Sequence, residues 1–120
     1  MLNEHRIHLH LWGLKNCDSC RAARKWLTTR NVPHTFHDVR EDGLDEKEVA
    51  RWLESAHAEY LVNRRSTTWR QLDAEQRERA QSDCLALLLE NPTLLKRPVI
   101  TDGEAVLDVG FSPASLEDYI

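Results

Sequence analysis

The chain has 120 residues, 41% of them hydrophobic and 30% charged, and its net charge is −4. This composition excludes a disordered or fibrous chain and predicts one folded domain over residues 1–120. The acidic balance argues against direct binding of nucleic acid, which needs a basic surface to neutralise phosphates.

The N-terminal residues are charged and precede no apolar stretch of the kind that marks a secretory signal. The longest wholly aliphatic run covers only residues 85–89, so no membrane-spanning segment is predicted. We therefore expect a cytoplasmic protein. Three cysteines in a reducing compartment predict no framework of structural disulfides.

The first strand is predicted at residues 6–12, where apolar and polar residues alternate before Gly13. His8 and His10 share one face of this strand. Alternating histidines on a strand are usually half-exposed polar positions, and we interpret these two in that way rather than as metal ligands.

Two cysteines, Cys17 and Cys20, lie between this strand and a helix predicted at residues 18–30. The unsatisfied N–H groups at the start of a helix favour the thiolate, which is the reactive form of cysteine. Full positive charges nearby add to this effect, and the candidates are Lys15, Arg21 and Arg24. Cys20 is close enough in sequence to resolve a mixed disulfide formed by Cys17, so the pair predicts redox chemistry.

Two alternatives stay open for the cysteine pair, namely half of a zinc site or no chemistry at all. A zinc site would require a second pair of ligands, but Cys84 is alone and the histidines are scattered. No metal site is therefore predicted. Cys84 shares the apolar face of a predicted helix with Leu87 and Leu88, so we interpret it as a small buried hydrophobic residue.

A second strand is predicted at residues 34–39, and Asp42-Gly43 closes it. A strand, a crossover helix and a second strand usually give a parallel pair of strands. The first part of the chain is therefore expected to form a parallel strand pair covered by one helix.

Residues 44–95 contain no strand pattern and are interpreted as a helical insertion. Asp45 and Asp73 have the sequence signature of helix caps. A polar loop is predicted at residues 63–69 between the two helical stretches, and the second stretch is expected to break near Ser82.

The chain ends with a hairpin predicted around Asp102-Gly103, between strands at residues 99–101 and 105–107, and with a helix at residues 114–119. This order resembles the thioredoxin-like fold, an α/β fold with a small mixed four-stranded sheet, here with a helical insertion between strands 2 and 3. In such folds the proline before the third strand is commonly cis, so the resemblance implies a cis bond at Pro98.

Five stretches together resemble the arsenate reductase (ArsC)-like family, namely residues 13–27, 37–44, 63–72, 94–100 and 109–112. The combination of the cysteine turn with the segment Lys96-Arg97-Pro98-Val99-Ile100 is the most specific part of the resemblance. The family contains glutathione-coupled arsenate reductases, the Spx transcription regulators and the YffB group. The YffB group fits best.

The resemblance implies a thiol-disulfide oxidoreductase in which Cys17 is the nucleophile and Cys20 or glutathione is the resolving thiol. Arg97 matches the arginine beside the family's proline and is assigned to the catalytic site. The residues expected to bind glutathione or another thiol substrate are Lys15, Asn16, Arg65 and Pro98. Glutathione is then a co-substrate, and no permanently bound cofactor is expected.

Arsenate itself is a less favoured substrate, because arsenate reductases place arginines where Asn63 and Gly110 stand in this chain. A multiply charged tetrahedral anion needs several guanidinium groups. A regulatory alternative also stays open, since Spx proteins use a pair like Cys17 and Cys20 as a redox switch and bind the α subunit of RNA polymerase. A monomer is the default expectation for either role.

Overall fold

The computed structural model of the protein describes residues 7–120. Within this range the strands are β1 (Leu9–Gly13), β2 (His34–Asp38), β3 (Val99–Thr101) and β4 (Val106–Val109). They form a sheet in the order β2-β1-β3-β4, in which β1 and β2 are parallel and the other neighbours antiparallel. The predicted α/β fold with a mixed four-stranded sheet is confirmed. Residue 6, the start of the predicted first strand, lies outside the described residues.

Helices cover both faces of this sheet. In the described part of the chain they are α1 (Asp18–Thr29), α2 (Val39–Asp42), α3 (Glu46–Leu53), α4 (Thr67–Gln71), α5 (Ala74–Ser82), α6 (Cys84–Glu90) and α7 (Pro113–Glu117). Short 3₁₀ turns lie at Ala58–Tyr60 and Pro92–Leu94. Helices α2 to α6 make up the insertion between β2 and β3. Across residues 7–120, no helix has the length and apolar character needed to cross a membrane.

Successive side chains of β1 point to opposite faces of the sheet, and a separate hydrophobic core lies on each face. Leu9 and Leu11 belong to the core on one face, whereas Trp12 belongs to the core on the other. The first core also contains Ala23, Leu27, Val32, Ile100, Leu107 and Leu116. The second core, beneath the insertion, also contains Val39, Val49, Trp52, Leu61, Val62, Leu72, Leu87, Leu88, Leu94, Leu95, Val99 and Val106. The insertion is therefore part of the hydrophobic core of the protein.

Two local features differ from the sequence-based prediction. Strand β2 ends one residue early, because the Asp38 carboxylate accepts the N–H groups of Arg40 and Glu41 and so caps the helical turn α2. The polar loop predicted at residues 63–69 contains the start of α4, which the Ser66 hydroxyl caps. Helices this short have no apolar periodicity to reveal them.

The remaining local predictions agree with the structure more closely. Asp73 forms a reciprocal capping box at the start of α5, and the helical stretch breaks between Ser82 and Cys84. Cys84 packs against the second core as predicted, but it is partly rather than fully buried. Strands β3 and β4 form the predicted hairpin, and the Arg97–Pro98 peptide bond is cis.

Candidate functional site

The cysteine turn connects β1 to α1, and Cys17 occupies the N-terminal cap position of α1. Its backbone N–H donates to the Leu14 carbonyl at 3.3 Å, and its own carbonyl accepts the Arg21 N–H at 2.9 Å. The Cys17 side chain makes no capping hydrogen bond and is partly exposed. A thiol in this place is accessible to a dissolved disulfide and lies at the positive end of the helix dipole.

A buried carboxylate on the neighbouring strand holds the cysteine turn in place. Oδ2 of Asp38 accepts the Lys15 N–H at 3.1 Å, and Oδ1 accepts the N–H groups of Arg40 and Glu41 at 2.9 and 3.0 Å. Burial by itself would raise the pKa of Asp38, but these N–H donors stabilise the carboxylate and the pKa lies below its ordinary value. Asp38 is not among the predicted site residues, although an Asp before a helical turn is a typical cap signal.

Cys20 lies in the first turn of α1 with its side chain fully buried. A Cβ atom added to Gly13 would come within 2.3 Å of the Cys20 sulfur, so the missing side chain at Gly13 makes room for this thiol. Burial is the main reason that the pKa of Cys20 is raised to about 12, and the neighbouring Cys17 adds to the rise. Cys20 is therefore a neutral thiol near pH 7.

The basic residues of the cysteine turn have partners other than the thiols. The Lys15 ammonium pairs with Glu41 at 2.9 Å, Arg21 pairs with Asp18, and the Arg24 guanidinium lies 4.5 Å from the centre of the Phe36 ring. The hydrogen bond to Glu41 also raises the pKa of Lys15. The expectation that these three side chains direct their charges at the thiols is therefore corrected, because carboxylates neutralise two of them and an aromatic ring holds the third.

Arg97 and Pro98 follow the insertion and directly precede β3, whose Val99 pairs with Trp12 of β1. The Arg97 side chain is partly buried, and its positive charge partly opposes the rise in the pKa of Cys20. Pro98 is buried, and its carbonyl accepts the Gly110 N–H at 2.9 Å. The predicted Arg97 thus lies near enough to Cys20 for its charge to act on this thiol.

An open pocket of about 470 Å³ lies next to the cysteine turn. Its lining contains three arginines and no carboxylate, and consists of Leu14, Arg40, Asn63, Arg65, Ser66, Thr67, Thr68, Thr93 and Arg97. Guanidinium groups and hydroxyls donate hydrogen bonds, so this lining suits an anion. Arg65 and Arg97 were predicted from the sequence. Arg40 was not, because its local sequence is that of an ordinary exposed charge.

The other predicted binding residues lie on the turn itself. Lys15 and Asn16 are exposed and do not line the pocket. Residues 7–120 contain no group of three or more His, Cys, Asp or Glu side chains placed to hold a metal ion.

Residues 12–119 match the model of the ArsC family. The chain belongs to the ArsC family. An uncharacterized protein of Haemophilus influenzae is 44% identical over 108 residues, which cover 85% of this chain and 90% of that protein. The global transcriptional regulator Spx 1 of Oceanobacillus iheyensis is 33% identical over 113 residues, which cover 92% of this chain and 85% of that protein. A solved structure of a YFFB protein has a TM-score of 0.81 and 34% identity, and the match covers 92% of this chain and 97% of that one.

Two positions of this ArsC-family chain were expected to lack a cation that arsenate reductases have. Asn63 lies in the pocket lining, where Arg40 supplies a third guanidinium. Gly110 has a φ of +90°, and a Cβ atom at this position would lie 3.1 Å from Cε and 3.9 Å from Nζ of Lys96. A side chain at Gly110 would therefore be strained, and a lysine already lies over it. Arg40 therefore adds a positive charge to the pocket that the count of the two missing arginines does not include.

Proposed function

We propose that this ArsC-family protein is a glutathione-dependent thiol-disulfide oxidoreductase with Cys17 as its nucleophile. One observation carries the proposal, namely a partly exposed cysteine at a helix N-terminus beside a pocket with three arginines and no carboxylate. Glutathione carries the two kinds of group that such a site binds, a thiol and carboxylates. The chemistry requires a reducing compartment, so the proposal places the protein in the cytoplasm.

The pocket and the nucleophile are connected through Leu14. The Leu14 carbonyl accepts the Cys17 N–H, and the same residue lines the pocket. In the proposal, the carboxylates of glutathione bind the guanidinium groups of Arg40, Arg65 and Arg97 while its sulfur reaches Cys17. Bidentate guanidinium–carboxylate pairs fix both the position and the orientation of the peptide.

The first step begins when the Cys17 thiolate attacks the glutathione sulfur of a mixed disulfide, R–S–S–G. The S–S bond breaks, R–S⁻ leaves and takes a proton from solvent, and a Cys17–S–S–G disulfide forms. In the second step the thiolate of a second glutathione attacks the glutathione sulfur of that disulfide, which releases oxidised glutathione and restores the Cys17 thiolate. Overall, R–S–S–G and glutathione give R–SH and oxidised glutathione.

We infer that dissolved glutathione, rather than Cys20, performs the second step. Burial is the main cause that raises the pKa of Cys20 well above pH 7, so its thiol is largely protonated there. Its sulfur is also buried against Gly13. A buried neutral thiol is a poor nucleophile for disulfide exchange.

The proposal is tested by steady-state reduction of a glutathionylated peptide, with glutathione as reductant and glutathione reductase to follow oxidised glutathione. We expect Cys17→Ser to abolish turnover and Cys20→Ser to lower it by less than about tenfold. Cys84→Ser is the matched thiol control and should equal the wild type. Turnover by Cys17→Ser would overturn the role of the nucleophile, and a Cys20→Ser variant as inactive as Cys17→Ser would overturn resolution by external glutathione.

A regulatory function is the second candidate, and the 33% identity with Spx 1 favours it. In this role the oxidation state of Cys17 and Cys20 would change the surface presented to the α subunit of RNA polymerase. Capture of purified α subunit by the immobilised protein, in reduced and oxidised buffer, separates the two functions. Binding that depends on the redox state, without turnover of the peptide, would favour the regulator.

A further inference from the structure

A second set of arginines surrounds Trp69, next to the arginine-lined pocket. The guanidinium carbons of Arg64 and Arg77 lie 5.3 and 5.6 Å from the centre of the Trp69 ring. Arg70 follows Trp69 on α4 and is exposed, as are the other two. We call Arg64, Arg70 and Arg77 the arginine rim.

The guanidinium groups of the arginine rim are held by uncharged partners. Arg70 donates to the Arg65 carbonyl and the Thr67 hydroxyl, both at 3.4 Å. Arg77 donates to the carbonyls of Trp69 and Arg70 at 3.3 and 3.2 Å. These contacts position the side chains without neutralising them.

No carboxylate of residues 7–120 forms an ion pair with the arginine rim. The ion pairs within that range use Lys15, Arg21, Arg51 and Arg79. Asp73, which lies between Arg70 and Arg77 in the sequence, accepts the Gln76 N–H as the cap of α5. The rim thus keeps its full positive charge.

The arginine rim is continuous with the pocket. Arg65 and Thr67, the two residues that Arg70 contacts, both line the pocket. Residues 64–77 contain four arginines, one aspartate and one glutamate, so this segment has a charge of +2 in a chain of net charge −4. Like charges collected on one face repel one another, and an anionic partner removes that repulsion.

We propose that the arginine rim binds an acidic segment of a substrate protein. This segment flanks the substrate cysteine whose mixed disulfide with glutathione is reduced by Cys17. The inference rests on the proposed function and names its substrate class, namely glutathionylated proteins with Asp and Glu residues near the modified cysteine. The pocket then holds the glutathionyl group, and the rim holds the flanking chain. The flanking residues take no part in the exchange of sulfur bonds. The net negative charge of the protein disfavours a long phosphate backbone but not a short acidic segment.

The surface is tested first by binding alone, with a fluorescent peptide that contains four acidic residues and no cysteine, and its counterpart with four lysines. At low ionic strength we expect the acidic peptide to bind at least about tenfold more tightly than the basic one, with added salt reducing the difference. Arg64→Gln combined with Arg70→Gln should remove most of this preference. Arg30→Gln is the matched control, because the Arg30 guanidinium also lies over a tryptophan, Trp26 on α1, at 3.9 Å.

The second measurement is kcat/KM for a glutathionylated peptide with acidic or with basic flanks. We expect the acidic peptide to be reduced about tenfold more efficiently, and the ratio to fall in the double variant but not in Arg30→Gln. If neither peptide is reduced but the acidic one still binds through the rim, the proposed function fails and the binding surface stands.

Three results would overturn the proposal for the arginine rim. The first is equal affinity for the acidic and the basic peptide. The second is a loss of preference in Arg30→Gln as large as that in the double variant, since the effect would then follow net charge alone. The third is an oligonucleotide of equal charge that binds more tightly than the acidic peptide, because the surface would then be a site for nucleic acid. Thermal unfolding of each variant shows whether it is folded.

Discussion

The sheet and the helical insertion contribute to the site in different ways. On the sheet side, the positions of the two thiols depend on buried contacts. Gly13 leaves room for the Cys20 sulfur, and Asp38 holds the cysteine turn through the Lys15 N–H. On the insertion side, the positive charge comes from exposed side chains such as Arg65 on short helices and loops. Substitutions on the sheet side should therefore change stability, whereas those on the insertion side should change binding and leave stability nearly unaltered.

The largest effect is expected for Gly13→Ala. The added methyl group would lie 2.3 Å from the Cys20 sulfur, and a core contact of this kind typically costs about 1–3 kcal/mol of the free energy of unfolding. The contact to the Cys20 Cβ atom would be an ordinary 3.6 Å. Removal of the sulfur in Cys20→Ala should therefore relieve the clash.

Urea unfolding of the two single variants and the double variant measures this coupling. We expect Gly13→Ala to lower the free energy of unfolding much less in the Cys20→Ala background than in the wild type. Equal costs in both backgrounds would contradict the packing of Cys20 against Gly13, and with it the explanation of why this thiol is buried.

Asp38 gives the next largest effect on the sheet side. Asp38→Ala removes the acceptors of three N–H groups and should cost about 2 kcal/mol in chemical unfolding. Asp38→Asn sharpens the test, because its carbonyl oxygen can still cap α2 while its NH₂ group faces the Lys15 N–H. Asp38→Asn should therefore lower the free energy of unfolding by less than Asp38→Ala does. Hydrogen exchange of the Lys15 amide should nevertheless be faster in Asp38→Asn than in the wild type, and an unchanged rate would contradict the anchoring role.

On the insertion side, Arg40→Gln is expected to raise the KM for glutathione about tenfold, which corresponds to the loss of one charge-assisted hydrogen bond of about 1.4 kcal/mol. Its free energy of unfolding should change by less than about 0.5 kcal/mol, because Arg40 is exposed. Arg24→Gln is the control, since the Arg24 guanidinium lies over Phe36 and not in the pocket. An equal rise in KM for both variants would mean that the pocket does not bind glutathione.

The smallest effect concerns pH. Burial raises the pKa of Cys20 above its ordinary value of 9.0, so above about pH 9 the unfolded chain loses this proton before the folded chain does. Stability should therefore fall as the pH rises through this window, by at most about 1.4 kcal/mol per pH unit from this group. The free energy of unfolding can be measured for the wild type and for Cys20→Ser between pH 9 and 10.5. We expect it to fall less steeply with pH in the variant. Identical slopes would contradict the raised pKa.

The sequence was most informative where a feature depends on a pattern of neighbouring residues. The alternation of Ile7, Leu9 and Leu11 predicts β1, and the cysteine turn with Arg97-Pro98 points to the ArsC family, which the comparisons confirm. The spacing of Asp73 and Gln76 predicts a helix cap that the structure contains. Each of these signals lies within a few residues of the chain.

The features that the sequence did not reveal depend on contacts between distant segments. Arg40 lies on the helical turn α2, which Asp38 caps where β2 ends, and this turn contributes Arg40 to the pocket. Cys20 is distinguished from Cys17 by its burial against Gly13, which the spacing of the two cysteines does not show. The basic residues near the thiols were expected to activate them, but Lys15 pairs with Glu41 from another element. Local charge counts do not predict such pairing.

The central claim is that Cys17 forms a mixed disulfide with glutathione that Cys20 does not resolve. The most direct test is the intact mass of the wild-type protein after incubation with oxidised glutathione, followed by peptide mapping without reductant. We predict one glutathione adduct, located on Cys17, that persists until reduced glutathione is added. A protein that instead loses the mass of two hydrogen atoms and contains a Cys17–Cys20 disulfide would contradict the account.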